Sequence, residues 1–167
     1  LADPCDAARA GAMRVFPGAA AYADAQGLIA DAAVEAVVIA VPPGAAASLA
    51  IAAFGAGKHV YLEKPGAASA AEGERLCAAW RASGKVGAIG YNFRRHQAVA
   101  QARRRVRAGA LGTLLSVGGL FSWSGRAAGG WRAAAGSGGA LVDLASHHID
   151  LARWLLGAEV ADATACL

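Results

Sequence analysis

Charge is scarce in this sequence. Asp, Glu, Lys and Arg together make up 17% of 167 residues, and the net charge is only +4. That argues against a nucleic-acid binder, which needs a broad basic footprint. It also argues against a disordered chain, because 56% of the residues are hydrophobic and disorder needs high charge with few apolar residues. Cysteine is sparse too. Cys5, Cys77 and Cys166 are odd in number and far apart, which gives neither a disulfide framework nor a zinc spacing. A reducing, cytoplasmic compartment fits thiols of this kind. No stretch of about 18 strongly apolar residues is present, so no transmembrane helix is expected. Residues 32–57 come nearest but are broken by Glu35, Pro42, Pro43 and Gly44. The opening Leu-Ala-Asp-Pro-Cys-Asp has neither the basic nor the apolar region of a signal peptide.

What is abundant is alanine, 47 residues, and among the cations arginine, 13 against 3 lysines. This bias resembles GC-rich coding pressure, so much of the alanine carries no information about fold. The order of elements is more telling. Leu1-Ala2-Asp3 reads as the tail of a strand, residues 6–13 as helix, and Tyr22–Ala32 as a turn with a short helix. Ala36–Val41 is a β-branched run of the kind buried on both faces of a parallel sheet. A helix over 45–56 follows, stopped by Gly55 and Gly57. His59–Leu62 is a second buried strand. Ser69 and Glu72 have capping-box spacing at the start of a helix running to about Ala82, and Val86–Tyr91 is a third strand. Strand and helix alternating at this spacing predict βαβ crossovers and a parallel sheet. The character changes near residue 92. Gln97–Arg107 is a basic helix, Thr113–Trp123 is strand-like, and 124–138 is a Gly/Ala/Ser-rich loop. Gly139–Leu156 is a helix closed by Gly157, and Val160–Leu167 alternates like the start of a strand.

Three polar groupings stand out. Lys64 sits where a buried strand ends, and ligands of open α/β sheets bind outside the carboxyl ends of strands. There it is either a partly desolvated lysine suited to moving a proton or a surface lysine paired with Glu63. Asp143 and His147 are spaced i, i+4 and share a helix face, with His148 and Asp150 on other faces. His147 is a natural acid/base near neutral pH; the alternative is a helix-face pair without chemistry. No third convergent ligand accompanies these residues, so no metal site is expected. The arginines at 94, 95, 103, 104, 105 and 107 have few aromatic neighbours and read as a solvated face.

The segments VEAVVIAVPP, AGKHVYLEKP (56–65), GYNFRR (90–95), GALG (109–112), GGWR (129–132) and SGGALVDLASHHIDLARWLLG (137–157) together resemble the Gfo/Idh/MocA family of NAD(P)-dependent oxidoreductases. The resemblance runs from about residue 1 to 160. It implies an α/β fold: an incomplete Rossmann-type parallel sheet (residues 1–92) followed by the start of an α/β substrate domain with an open sheet (93–167). It implies hydride transfer between NAD or NADP and a hydroxyl or carbonyl carbon of a sugar or polyol. The family's Glu-Lys-Pro lysine, beside the nicotinamide, falls on Lys64. Its Asp-x-x-x-His pair falls on Asp143 and His147, the histidine as acid/base, and the aspartate and lysine as ligands of the reacting oxygen. Asp3, Val41, Pro42, Pro43, Glu63, Lys64 and Pro65 then belong on the cofactor side. Asn92, Arg94, Trp131, Arg132 and Asp143 belong on the substrate side, although Trp131-Arg132 reads equally well as a surface loop.

The pattern also breaks. The family's opening Gly-x-Gly-x-x-Gly is not in this sequence, and most of the second domain's sheet would follow Leu167, so the chain is expected to be an internal piece. A sheet without its first strand would leave an edge and an apolar face open beside Val37–Val41. Asp3 matches the acid that binds ribose hydroxyls, which favours NAD slightly over NADP. Val41 and Ala46 stand where the family has polar residues, which weakens cofactor contacts. The rival reading is therefore a catalytically silent, cofactor-free paralogue or assembly module. A complete protein is expected to self-associate, with no nucleic-acid or membrane partner.

Overall fold

The computed structural model describes residues 1–120, 139 and 141–164. The chain divides into two compact units, Leu1–Gly90 and Tyr91–Leu167. Trp131, Arg132, the 124–138 loop and Cys166 lie outside the described residues.

In the first unit, Leu1–Asp3 runs parallel to the backbone at Tyr22, as a strand tail should. The Tyr22 amide donates to the Leu1 carbonyl (2.9 Å) and the Asp3 amide to the Tyr22 carbonyl (3.4 Å). Helices α1 (Asp6–Val15) and α2 (Ala25–Ala30) follow these segments, and then strand β1 (Ala36–Ile39). Helix α3 (Pro43–Gly55) leads to β2 (His59–Leu62), and α4 (Ala70–Ser83) to β3 (Gly87–Ile89). The strands form one parallel sheet in the order β1-β2-β3, with Ala36 opposite His59 and Val60 opposite Gly87. Parallel neighbours cannot be joined by a tight turn, and α3 and α4 are the crossovers this requires.

Alanine shapes the core here. Ala46, Ala50 and Ala53 recur along one stripe of α3, and the last two are 0% exposed. Side chains this small let the helix axis approach the sheet, where Val37, Ile39, Val60, Leu62, Phe54 and Leu76 complete the core. β1 corrects an expectation, since it is buried on one face only. Val37 and Ile39 point inward, while Val38 is 77% exposed beside Tyr61, its cross-strand neighbour. A β-branched run reports the tolerance of both faces for burial, but coverage depends on what packs there. Among the described residues, α3 packs on the Val37–Ile39 side and nothing comparable covers Val38.

Helix α4 starts as its sequence directs. Ser69 Oγ accepts from the Glu72 amide (3.3 Å), and Glu72 returns a bond one residue earlier than a capping box prescribes, to the Ala68 amide (2.9 Å). It ends at Gly84, in the left-handed conformation with φ 63°.

The second unit contains a 3-10 turn (Asn92–Arg95), helix α5 (Gln97–Arg107), a π-helical turn (Leu141–Ala145) and helix α6 (Ser146–Leu156), closed by left-handed Gly157. The expected regular helix from Gly139 is therefore interrupted by a wider turn at Leu141–Ala145, and its last 11 residues form α6. The expected strand over Thr113–Trp123 is not formed by its described part, 113–120, nor is one formed by 160–164. Alternation marks a segment able to pair, but a strand exists only with a partner for its amides and carbonyls. Leu115 and Leu120 are consequently exposed. No helix among the described residues is long and apolar enough to cross a membrane.

Gly87 is fixed by its neighbours. A Cβ there would lie 2.9 Å from Phe54 Cζ and 3.0 Å from Trp80 Cδ1. Gly87→Ala is expected to destabilise the first unit by about 1–3 kcal/mol through overpacking. A lowered urea midpoint with unchanged slope would show it.

Candidate active site

Parallel pairing directs the carboxyl ends of all three strands to one edge of the sheet, and the ladder itself builds the turn found there. The Glu63 amide donates to the Ile39 carbonyl and the Gly90 amide to the Leu62 carbonyl, both at 2.8 Å. Residues 63–66 are thereby held against the ends of β1 and β3. The Lys64–Pro65 peptide is cis, the Gly66 amide donates back to the Glu63 carbonyl (3.3 Å) and the Ala67 amide to the Pro65 carbonyl (2.7 Å). Two glycines make this packing feasible. Gly66 has φ 71°, and a Cβ there would meet Ile89 Cδ1 at 2.8 Å; a Cβ on Gly90 would meet Glu63 Oε2 at 2.5 Å. Lys64 and Pro65 are half-buried and Glu63 is exposed.

At the same edge, Val41, Pro42 and Pro43 carry the chain from β1 into α3. Proline suits a first helical position because the missing N–H has no intrahelical partner there. The α3 N-terminus, positive by the helix dipole, thus sits at the strand ends without a side-chain cap. Val41 packs against the core and Ala46 is buried within it, so neither offers a polar group. Asp3 Oδ1 accepts from the Cys5 amide (2.8 Å), and a carboxylate has acceptor capacity beyond that one bond. For phosphate, the segment around Pro42–Ala45 offers only backbone groups.

In the second unit two aromatic rings lie against one imidazole. His147, 9% exposed, stacks on the Phe93 ring with centroids 4.3 Å apart and planes 23° apart. Tyr91 meets it edge-on at 5.8 Å. One turn along α6, buried Asp150 accepts from Arg94 Nε (2.8 Å) and Nη2 (2.5 Å) in a two-pronged pair. That pair is strong because the planar guanidinium matches the carboxylate. It holds the Arg94 guanidinium above its usual range, chiefly through the bond to Asp150. Burial first, and then the Asp150 charge, push the Tyr91 phenol up.

These facts revise the reading of α6. Asp150 was expected on another face, but i, i+3 spacing leaves it beside His147, and both are buried. Asp143, half-buried, lies in the π turn, whose i→i+5 bonding departs from the strict i, i+4 alignment expected with His147. Such turns recur at functional sites. Asn92 is exposed. Sequence reasoning missed Tyr91, Phe93 and Asp150. The available signal was an acid three residues after the histidine, with an arginine in the preceding aromatic segment.

A raised tyrosine means that the folded state holds its proton more tightly than the unfolded state. The stability it contributes is therefore complete below pH ~10 and lost as pH rises through the higher folded value. Tyr91→Phe is expected to flatten the alkaline arm of a stability–pH curve, measured by denaturant melts; an unchanged arm would contradict it.

The comparisons with known proteins agree with one another. Residues 4–93 match the model of the oxidoreductase family with an NAD-binding Rossmann fold, and 99–167 match the GFO/IDH/MocA C-terminal domain. The chain is 38% identical over 153 residues to levoglucosan dehydrogenase of Pseudarthrobacter phenanthrenivorans, a match covering 87% of this chain and 39% of that protein. It is 31% identical over 130 residues to the NAD(+)-dependent scyllo-inositol 2-dehydrogenase of Bacillus subtilis, covering 78% of this chain and 37% of the relative. Among solved structures, levoglucosan dehydrogenase in complex with NADH and levoglucosan superposes with a TM-score of 0.78 at 32% identity, over 93% of this chain and 44% of that one. The chain thus spans about two-fifths of the length of the relatives it matches.

Proposed function

Because this chain belongs to the Gfo/Idh/MocA oxidoreductase family, we propose that it contributes to an enzyme transferring hydride between NAD(P) and a hydroxyl or carbonyl carbon of a sugar or polyol. The observation that carries this reading is the Glu63–Gly66 turn, held by two ladder bonds at the carboxyl edge of a parallel sheet, where open α/β sheets bind ligands. The relatives named for levoglucosan and scyllo-inositol support the substrate class.

The roles follow from charge. Oxidising an alcohol builds negative charge on its oxygen. Lys64, as a cation, opposes that build-up, and His147 accepts the proton. Asp143 binds the substrate hydroxyl and helps orient it. The nicotinamide, when bound, supplies the hydride acceptor or donor. Asp3 would hold the ribose hydroxyls, which favours NAD, with Val41–Pro43, Glu63 and Pro65 lining the cofactor and backbone groups near Pro42–Ala45 facing its phosphates. Asn92, the exposed part of Arg94, Trp131 and Arg132 are the proposed substrate side. Self-association, a cytoplasmic location, and the absence of nucleic-acid and membrane partners belong to the same proposal.

The test is turnover of the full-length protein on a panel of sugars and polyols, followed by nicotinamide absorbance. Lys64→Ala and His147→Ala are each expected to lower kcat by roughly 10²–10⁴, the range for lost acid/base groups. His147→Ala should leave dinucleotide affinity nearly unchanged. Turnover indifferent to both substitutions would overturn the roles, and no turnover with either dinucleotide would favour a silent paralogue.

A further inference from the structure

Three residues from two elements knit His147 in place. Phe93 and Arg94 are consecutive in the 3-10 turn; His147 and Asp150 are one helical turn apart on α6. Each residue of the first pair engages one of the second: Phe93 stacks on His147, and Arg94 grips Asp150 through two hydrogen bonds. The pairs are far apart in sequence, Arg94 and Asp150 being 56 positions apart. Only tertiary structure, therefore, brings a flat aromatic surface under the imidazole.

The two contacts do different work. A two-pronged guanidinium–carboxylate pair fixes both distance and angle between the elements that carry it. Asp150 is 6% exposed, and a buried carboxylate demands a partner, so the turn cannot drift from α6 without uncovering that charge. With the turn fixed, the Phe93 ring limits rotation of the imidazole about its last side-chain bond, a torsion that is otherwise broad. The edge-on Tyr91 ring closes a second side.

We propose that Phe93 is a positioning residue for His147, and that the Arg94–Asp150 pair acts through it by holding the aromatic turn against α6. This rests on the acid/base role given to His147 above. Its gain is orientation: an imidazole already aimed loses less freedom when it meets a substrate proton. Nothing in this role requires Phe93 to touch substrate or cofactor.

The test separates positioning from the function itself. In the full-length protein, the ring protons of His147 should be shielded by the Phe93 ring current in a proton NMR spectrum. Phe93→Leu keeps apolar bulk but removes the flat face. It should abolish that shielding and lower kcat by about 10–100-fold, as for a misaimed catalytic group, with KM nearly unchanged. Phe93→Tyr should restore both, and Asp150→Asn should lose part of the shielding while Phe93 is intact. Unshielded His147 protons in the unaltered protein would overturn the proposal even if every variant failed to fold. So would a Phe93→Leu protein with full kcat. Shielding that responds as described in a protein unable to transfer hydride would leave the positioning intact and sink the oxidoreductase reading alone.

Discussion

Two backbone hydrogen bonds carry the architecture of the first unit beyond its strands. Glu63 to Ile39 and Gly90 to Leu62 continue the parallel ladder one residue past the ends of β2 and β3. Because all three strands point the same way, these bonds gather three chain exits at a single edge. The lysine-bearing turn is thus placed by sheet direction as well as shaped by its own sequence. Gly66 and Gly90 allow it to sit against Ile89 and Glu63 with no space for a Cβ. An antiparallel sheet would scatter the same residues to opposite ends.

The second unit solves a different problem, that of holding a titratable ring in a mostly buried place. Its means is a charged pair set beside an aromatic stack. Asp150 and Arg94 satisfy each other, and Phe93 and Tyr91 supply apolar surface around His147. A cation–aromatic contact of Arg103 with Trp154, 4.0 Å from the ring centroid, adds to the packing of α5 on α6. The basic face of α5 is therefore only partly a solvated one.

Local sequence signals read well where local physics decides. β2 and α5 begin and end where their patterns predict, and Gly84 and Gly157 stop their helices in the left-handed conformation. The signals fail where a partner decides. The β-branched run at 36–41 did not disclose that Val38 would stay exposed, because propensity says nothing about what covers a face. Residues 113–120 alternate like a strand yet form none, with no ladder neighbour among the described residues. The π turn at 141–145 has no marker in composition. Composition does not show which alanines matter: Ala46, Ala50 and Ala53 form a packing stripe. The proposed catalytic residues Lys64, Asp143 and His147 could be named from the sequence, whereas the supports of His147 come from contacts between distant segments.

Hydride transfer is the chemistry proposed for the protein to which this chain belongs. The most direct test follows the hydride itself. The full-length protein would be incubated with NAD or NADP and a sugar or polyol deuterated at its carbinol carbon, and the dinucleotide examined by mass spectrometry. The account predicts deuterium on the nicotinamide ring, lost when Lys64 or His147 is replaced by alanine. Recovery of unlabelled dinucleotide with every substrate tried would contradict it.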